Sequence, residues 1–85
     1  MALPETTDFV LNNDWTLIVA GAVDDLHIEV NGQTIYYRLE GAVPTSSHGH
    51  KLDEDTHGRN IRLDAGVNLY ARSKGTQSIL VATGE

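Results

Sequence analysis

Cysteine is missing from this chain altogether, so neither a disulfide nor a cysteine-ligated zinc can brace the fold. Basic residues are scarce: six Lys and Arg stand against twelve Asp and Glu, a formal net charge of −6. The imbalance sits in residues 1–40, which hold seven acids and one base, Arg38, while residues 41–85 hold five of each. Such a chain repels phosphate backbones and offers no basic cluster, so nucleic acid is excluded as an expected partner. Long apolar runs are also lacking. The longest, Leu17 to Val23, is interrupted by Gly21, and no basic residue precedes an apolar stretch near Met1, so neither a membrane span nor a signal peptide is expected. No Asn-x-Ser/Thr site occurs, and folding in a cytoplasm without a membrane partner is the expectation.

At 85 residues the chain is expected to form one domain, residues 1–85. A domain of this size buries only about 60% of the surface its unfolded chain exposes, so its core is thin. With disulfides and a cysteine-ligated zinc excluded, oligomerisation or a larger partner surface is the remaining source of support.

No stretch places apolar residues at helical spacing, whereas alternation with a period of two recurs throughout. The fold class read from this pattern is all-β: a small antiparallel β-sandwich or jelly-roll-like barrel of six to seven strands. Trp15, Leu17 and Val19 alternate with Thr16, Ile18 and Ala20 in a first strong strand, with Trp15 expected in the core. Leu26 to Val30, then Asn31-Gly32, then Gln33 to Leu39 has the chemistry of a type I′ hairpin. That register sets Ile28 opposite Ile35, Leu26 opposite Tyr37 and Asp25 opposite Arg38. A second hairpin is expected at Lys74-Gly75, with Leu69 opposite Leu80. Tyr36 and Tyr70 point away from their strands' aliphatic faces. Between the two hairpins lies a long polar loop at about 40–59, whose large aliphatics are Val43 and Leu52. Ordering so polar a segment is entropically costly, so the reading is that it is disordered in the free protein or that a partner surface orders it through intersubunit contacts.

That loop also carries the candidate chemistry. In an extended segment His48 and His50 project from one face and can share a metal, with His57 or Glu54 completing the set. His48, His50 and His57 are therefore the candidate metal ligands, against the simpler reading of a solvated polar loop; no cofactor is expected. The pattern is similar to the first metal motif of cupins, but the chain has no second motif. Asp53-x-Asp55-x-His57-Gly58 with Asp64 imitates a calcium loop, although His stands where an oxygen ligand belongs and the flanks are not helical. No Ser lies in a nucleophile elbow, and Asp24-Asp25 read as turn residues, so an enzyme is not expected.

Ile61-Arg62-Leu63-Asp64-Ala65-Gly66-Val67-Asn68-Leu69-Tyr70-Ala71-Arg72-Ser73-Lys74-Gly75 through Ile79-Leu80-Val81-Ala82-Thr83 resembles the closing hairpin of small all-β accessory virion proteins of tailed bacteriophages. The resemblance implies a structural protein, a capsid decoration or head or tail component. Its partners would be other virion proteins, with the capsid foremost, and further copies of itself in a homo-oligomer. It would be assembled in the host cytoplasm and located in the virion. His48-Gly49-His50 is also similar to the His-x-His turns with which trimeric phage fibres hold iron. A carbohydrate- or protein-binding β module is the alternative, and a metal-dependent small barrel enzyme the third reading.

One prediction follows from charge alone. Random duplex DNA at physiological salt should show no submicromolar binding, because six scattered bases cannot release enough counterions. Fluorescence anisotropy across a salt series measures this directly.

Overall fold

The computed structural model describes residues 3–46, 48–53, 58–75 and 77–84. Its strands are β1 Leu3–Leu11, β2 Thr16–Ala20, β3 Val23–Asn31, β4 Ile35–Glu40, β5 His50–Leu52, β6 Arg59–Leu63, β7 Asn68–Ser73 and β8 Ser78–Gly84. The all-β sandwich is as expected, with eight strands in place of six to seven. No helix among the described residues is long and apolar enough to cross a membrane.

Two four-stranded antiparallel sheets face each other, in the orders β1-β8-β3-β6 and β2-β7-β4-β5. First pairs with last and so on inward: β1 with β8, β2 with β7, β3 with β6, β4 with β5. The chain is thus one antiparallel ribbon, folded back on itself at the β4–β5 connection and wound around a core, which is the winding of a jelly roll. Additional ladders, β3 with β8 and β4 with β7, complete the two sheets.

The short axis of the molecule is 17 Å, room for two sheets about 10 Å apart and a single layer of side chains between them. Leu26, Ile28 and Val30 of β3 fill that layer from one sheet, and Ile35 and Tyr37 of β4 from the other. Leu11, Leu52, Leu63, Leu69 and Leu80 are fully buried beside them. Alternation thus identified the inward faces of β3, β4, β7 and β8 correctly.

It did not identify the neighbours. β3 and β4 lie in different sheets, so Ile28 faces Ala82 and Arg59 across its ladders, and Ile35 faces Leu52 and Ser73. Asn31-Gly32 is not a type I′ hairpin turn. Asn31 ends β3 with an ordinary negative φ, and only Gly32 takes a positive one, 118°. The Lys74-Gly75 hairpin is likewise replaced by a crossing, since β7 and β8 belong to opposite sheets. In both places the apolar faces are satisfied across the core rather than along a hairpin.

The two crossings lock to each other. Lys74 N–H donates to the Thr34 carbonyl at 2.9 Å, and the buried Ser78 hydroxyl donates to the Gln33 carbonyl at 2.7 Å. A Cβ at Gly32 would lie 3.2 Å from Ser78 Oγ. The β1–β2 crossing joins the same end, where Ser73 N–H donates to the Asn12 carbonyl at 2.7 Å. All three donors belong to the β7–β8 crossing, and the carbonyls they satisfy belong to the β3–β4 and β1–β2 crossings.

A bulge corrects the reading of β2. Leu17 pairs Tyr70 and Val19 pairs Leu69, so Ile18 is the extra residue. Val19 and Ile18 are buried, whereas Leu17 is 48% exposed. The bulge breaks the alternation between Leu17 and Val19 and moves Trp15 and Leu17 to the outer face.

Substitutions at the first crossing separate the two geometries. Gly32→Val should cost about 1 kcal/mol or more through its positive φ, whereas Asn31→Val should be close to neutral, which a type I′ turn would not allow. Gly84→Ala should cost about 1–3 kcal/mol by overpacking, because its Cβ would lie 2.5 Å from the Asp25 carbonyl oxygen and 2.6 Å from Leu26 Cα. Urea denaturation of the three variants checks all of these.

Candidate functional site

Outward-facing side chains of the β2-β7-β4-β5 sheet form a row of mixed aromatic and cationic character. Thr16 pairs Ala71 and Tyr36 pairs both Arg72 and Lys51, so Trp15, Arg72, Tyr36 and Lys51 follow one another across the sheet. The Arg72 guanidinium sits between two rings, 5.5 Å from the Trp15 centroid and 5.0 Å from that of Tyr36. A planar cation between two π-faces is held by electrostatics and by stacking together.

Residues 41–46 and 48–49, the fold-back of the ribbon, run over this row as a strap. Trp15 Nε1 donates to the Ser46 carbonyl at 2.9 Å, and Arg38 Nη1 donates to the His48 carbonyl at 2.9 Å. Arg38 also pairs with Glu40. Pro44 is buried. Gly49 is pressed so close that a Cβ there would stand 2.9 Å from the Tyr37 carbonyl oxygen and 3.1 Å from both Trp15 Cη2 and Tyr36 Cβ. Tyr70, on the same outer face, is 6% exposed.

That geometry gives the segment anchors within the chain itself. The anchors are Pro44, Gly49 and the Trp15 and Tyr36 rings, whereas the sequence reading counted Val43 and Leu52. Val43 is 64% exposed and anchors nothing, while Leu52 is fully buried in the core as part of β5. Trp15 itself was expected in the core; it is half-buried beneath the strap instead.

Two concavities flank the strap. One, of about 320 Å³, is lined by Arg38, Leu39, His48, Gly49 and His50. Two of the three candidate metal ligands, His48 and His50, therefore border one cleft, but each is exposed. His48 Nδ1 lies 3.5 Å from Ser46 Oγ, and the His50 ring leans on Tyr37 with centroids 5.2 Å apart. Arg38 in the same cleft is a poor neighbour for a cation. The third candidate, His57, lies outside the described residues, as do Glu54 and Asp55. Asp64, the last position of the calcium-like pattern, pairs with Arg62 at 3.7 Å. Among the described residues no group of three potential ligands converges on a point. The other concavity, of about 260 Å³, is lined by Asn13, Asp14, Trp15, Pro44, Thr45, Ser46 and Arg72.

A third cluster, on the opposite sheet, was not legible in the sequence because it needs the β3–β6 ladder, which pairs His27 with Asn60. Asn60 Nδ2 donates to Asp25 Oδ1 at 3.1 Å, which turns Asn60 Oδ1 toward His27 Nδ1 at 2.5 Å. An amide oxygen only accepts, so His27 Nδ1 is the donor of this bond, and Nε2 lies 3.7 Å from Glu29 Oε1. Gly58 closes over the pair, since its Cβ would stand 2.7 Å from His27 Nε2. The group ties β6 to β3, with Gly58 packed against it.

The chain matches no family model, no curated protein and no solved structure.

The strap has a direct test in the chain's single tryptophan. Trp15→Phe keeps a ring but loses the Nε1–H donor, and should cost about 1 kcal/mol while leaving the Ser46 carbonyl without that bond. Amide exchange at residues 43–49 should accelerate relative to the core strands, as hydrogen-exchange mass spectrometry would show.

Proposed function

We propose that this chain is a structural subunit that works through protein–protein contacts, an accessory component of a bacteriophage virion such as a capsid decoration or a head or tail protein. The observation that carries this reading is the character of the β1 side of the sandwich. β1 is nine residues long and forms a sheet edge, and beside it Val10 is 58% and Ile79 37% exposed, directly opposite each other in the ladder. A long strand edge bordered by exposed apolar side chains is a surface suited to another protein. The winding adds support by analogy, because eight-stranded jelly rolls recur in viral capsid domains. The subunit is read as non-catalytic and free of cofactor, with partners among virion proteins and further copies of itself, and its place is in the particle.

A second reading, a carbohydrate-binding module, draws on the concavity beside Trp15. An aromatic ring with Asp14, Asn13 and Arg72 around about 260 Å³ combines a stacking face with hydroxyl-binding groups. Lectin domains share the winding as well. Quenching or a shift of the Trp15 emission on adding saccharides would favour this reading.

Virions produced from the genome that encodes this sequence decide between them. Mass spectrometry of purified particles should find the chain in a fixed ratio to the major capsid or tail protein. Its presence in infected cells but not in purified particles would reject the virion role.

A further inference from the structure

We infer that β1 is a self-pairing edge: a second copy of this chain adds to it antiparallel across a twofold axis at Val10, joining the two β1-β8-β3-β6 sheets into one. The inference rests on the structural-subunit reading and names the surface and register through which it acts.

The other three edges are poorer. β5 has three residues, β2 has five and carries the Ile18 bulge, and β6 has five with Arg59 and Arg62 projecting from it. β1 offers nine, but not all are equivalent. Its ladder to β8 slips between Leu3 and Thr7, and Pro4 has no N–H to donate, so the first half resists a further strand. The regular half runs from Thr7 to Leu11, where five consecutive residues pair β8 without a shift.

Within that half the side chains select the register. Two copies related by a twofold keep their inner and outer faces aligned only if residues of like face meet. An axis at Asp8 would bring two carboxylates together. An axis at Thr7 would run the pairing across the slip and Pro4, and one at Phe9 would set Val10 against the second copy's Asp8. With the axis at Val10, Val10 meets its own copy and Phe9 meets Leu11, while Asp8 comes opposite Asn12, the first residue past the strand. No like charges oppose, and Ile79, Val10 and their two copies form one continuous apolar strip on the outer face. Cross-strand pairs of this kind are the unit of sheet stabilisation.

So short a seam buries less than the roughly 1,200 Å² of a stable dimer, and each copy brings a net charge of −6. The free pair is therefore weak. It tightens as salt screens the repulsion and becomes effective where copies are concentrated on a common scaffold.

The absence of native cysteine makes the test clean. Val10→Cys places one thiol on the axis, Asp8→Cys one beside it, and Ile79→Cys one on the neighbouring strand. Under mild oxidation the folded V10C chain should form a disulfide-linked dimer about tenfold faster than either control, because pairing holds its thiols together. That advantage should grow with salt and vanish in urea. Equal rates for V10C and the controls would overturn the inference, as would a V10C advantage that persists in urea. The outcome is separable from the virion reading: a chain found in particles but without the V10C advantage keeps the role and loses this seam. An advantage in a chain missing from particles keeps the seam and loses the role.

Discussion

Apart from β4 and β5, strands that follow one another in this chain share a core but not a sheet, and that constraint organises everything else. A ribbon folded only at the β4–β5 connection must carry both of its arms around each end of the core together. At each corner the backbone leaves one ladder before entering the next, so its polar groups need partners elsewhere. The arms supply them to each other: Lys74 to Thr34, Ser78 to Gln33 and Ser73 to Asn12 at one end, and Gly21 N–H to the Asn68 side chain at 3.1 Å at the other. Crossings of this kind let a thin core be lined from both sides by every ladder, without a helix or a covalent brace.

The same constraint accounts for the strap. The fold-back of a wound ribbon is its one connection between adjacent strands of the same sheet, and here it is long enough to return over the sheet that bears it. Trp15, Arg72 and Tyr36 give it a platform with both apolar faces and charge, and the Trp15 indole fixes its path through one hydrogen bond. With the strap over the Trp15–Arg72–Tyr36 row, the outer face of the other sheet and the β1 edge stay uncovered. His48 on the strap and His50 at the start of β5 border a cleft that Arg38 also lines.

Much of the fold was legible in the residues, in a particular way. Period-two alternation reports which side chains point inward, and for Leu26, Ile28, Val30, Ile35, Tyr37, Leu69 and Leu80 it did so correctly. It says nothing of which strand lies alongside. Asn31-Gly32 and Lys74-Gly75 suit a tight turn and a crossing equally, since either needs one glycine or a small residue where the chain bends. Two inward faces joined by such a link can pack side by side or across a core, and only long-range pairing decides. The β2 bulge was invisible for a related reason: Leu17-Ile18-Val19 is apolar throughout, so no polar residue marks the slip. His48 lies on the strap, whereas His50 opens β5 and His57 falls outside the described residues; the Trp15–Arg72–Tyr36 row and the Asp25–Asn60–His27 chain each join residues from distant strands. No local spacing could assemble them.

The winding of the ribbon is the claim on which the remainder depends, because β1 is a free edge and the strap a cover only if β3 pairs with β8 and not with β4. Nuclear Overhauser contacts in the isotope-labelled chain measure this most directly. The account predicts cross-strand backbone contacts linking Val30 with Leu80 and Ile28 with Ala82, and none between the backbones of Ile28 and Ile35. A backbone ladder from Ile28 to Ile35 closing on Asn31-Gly32 would contradict it.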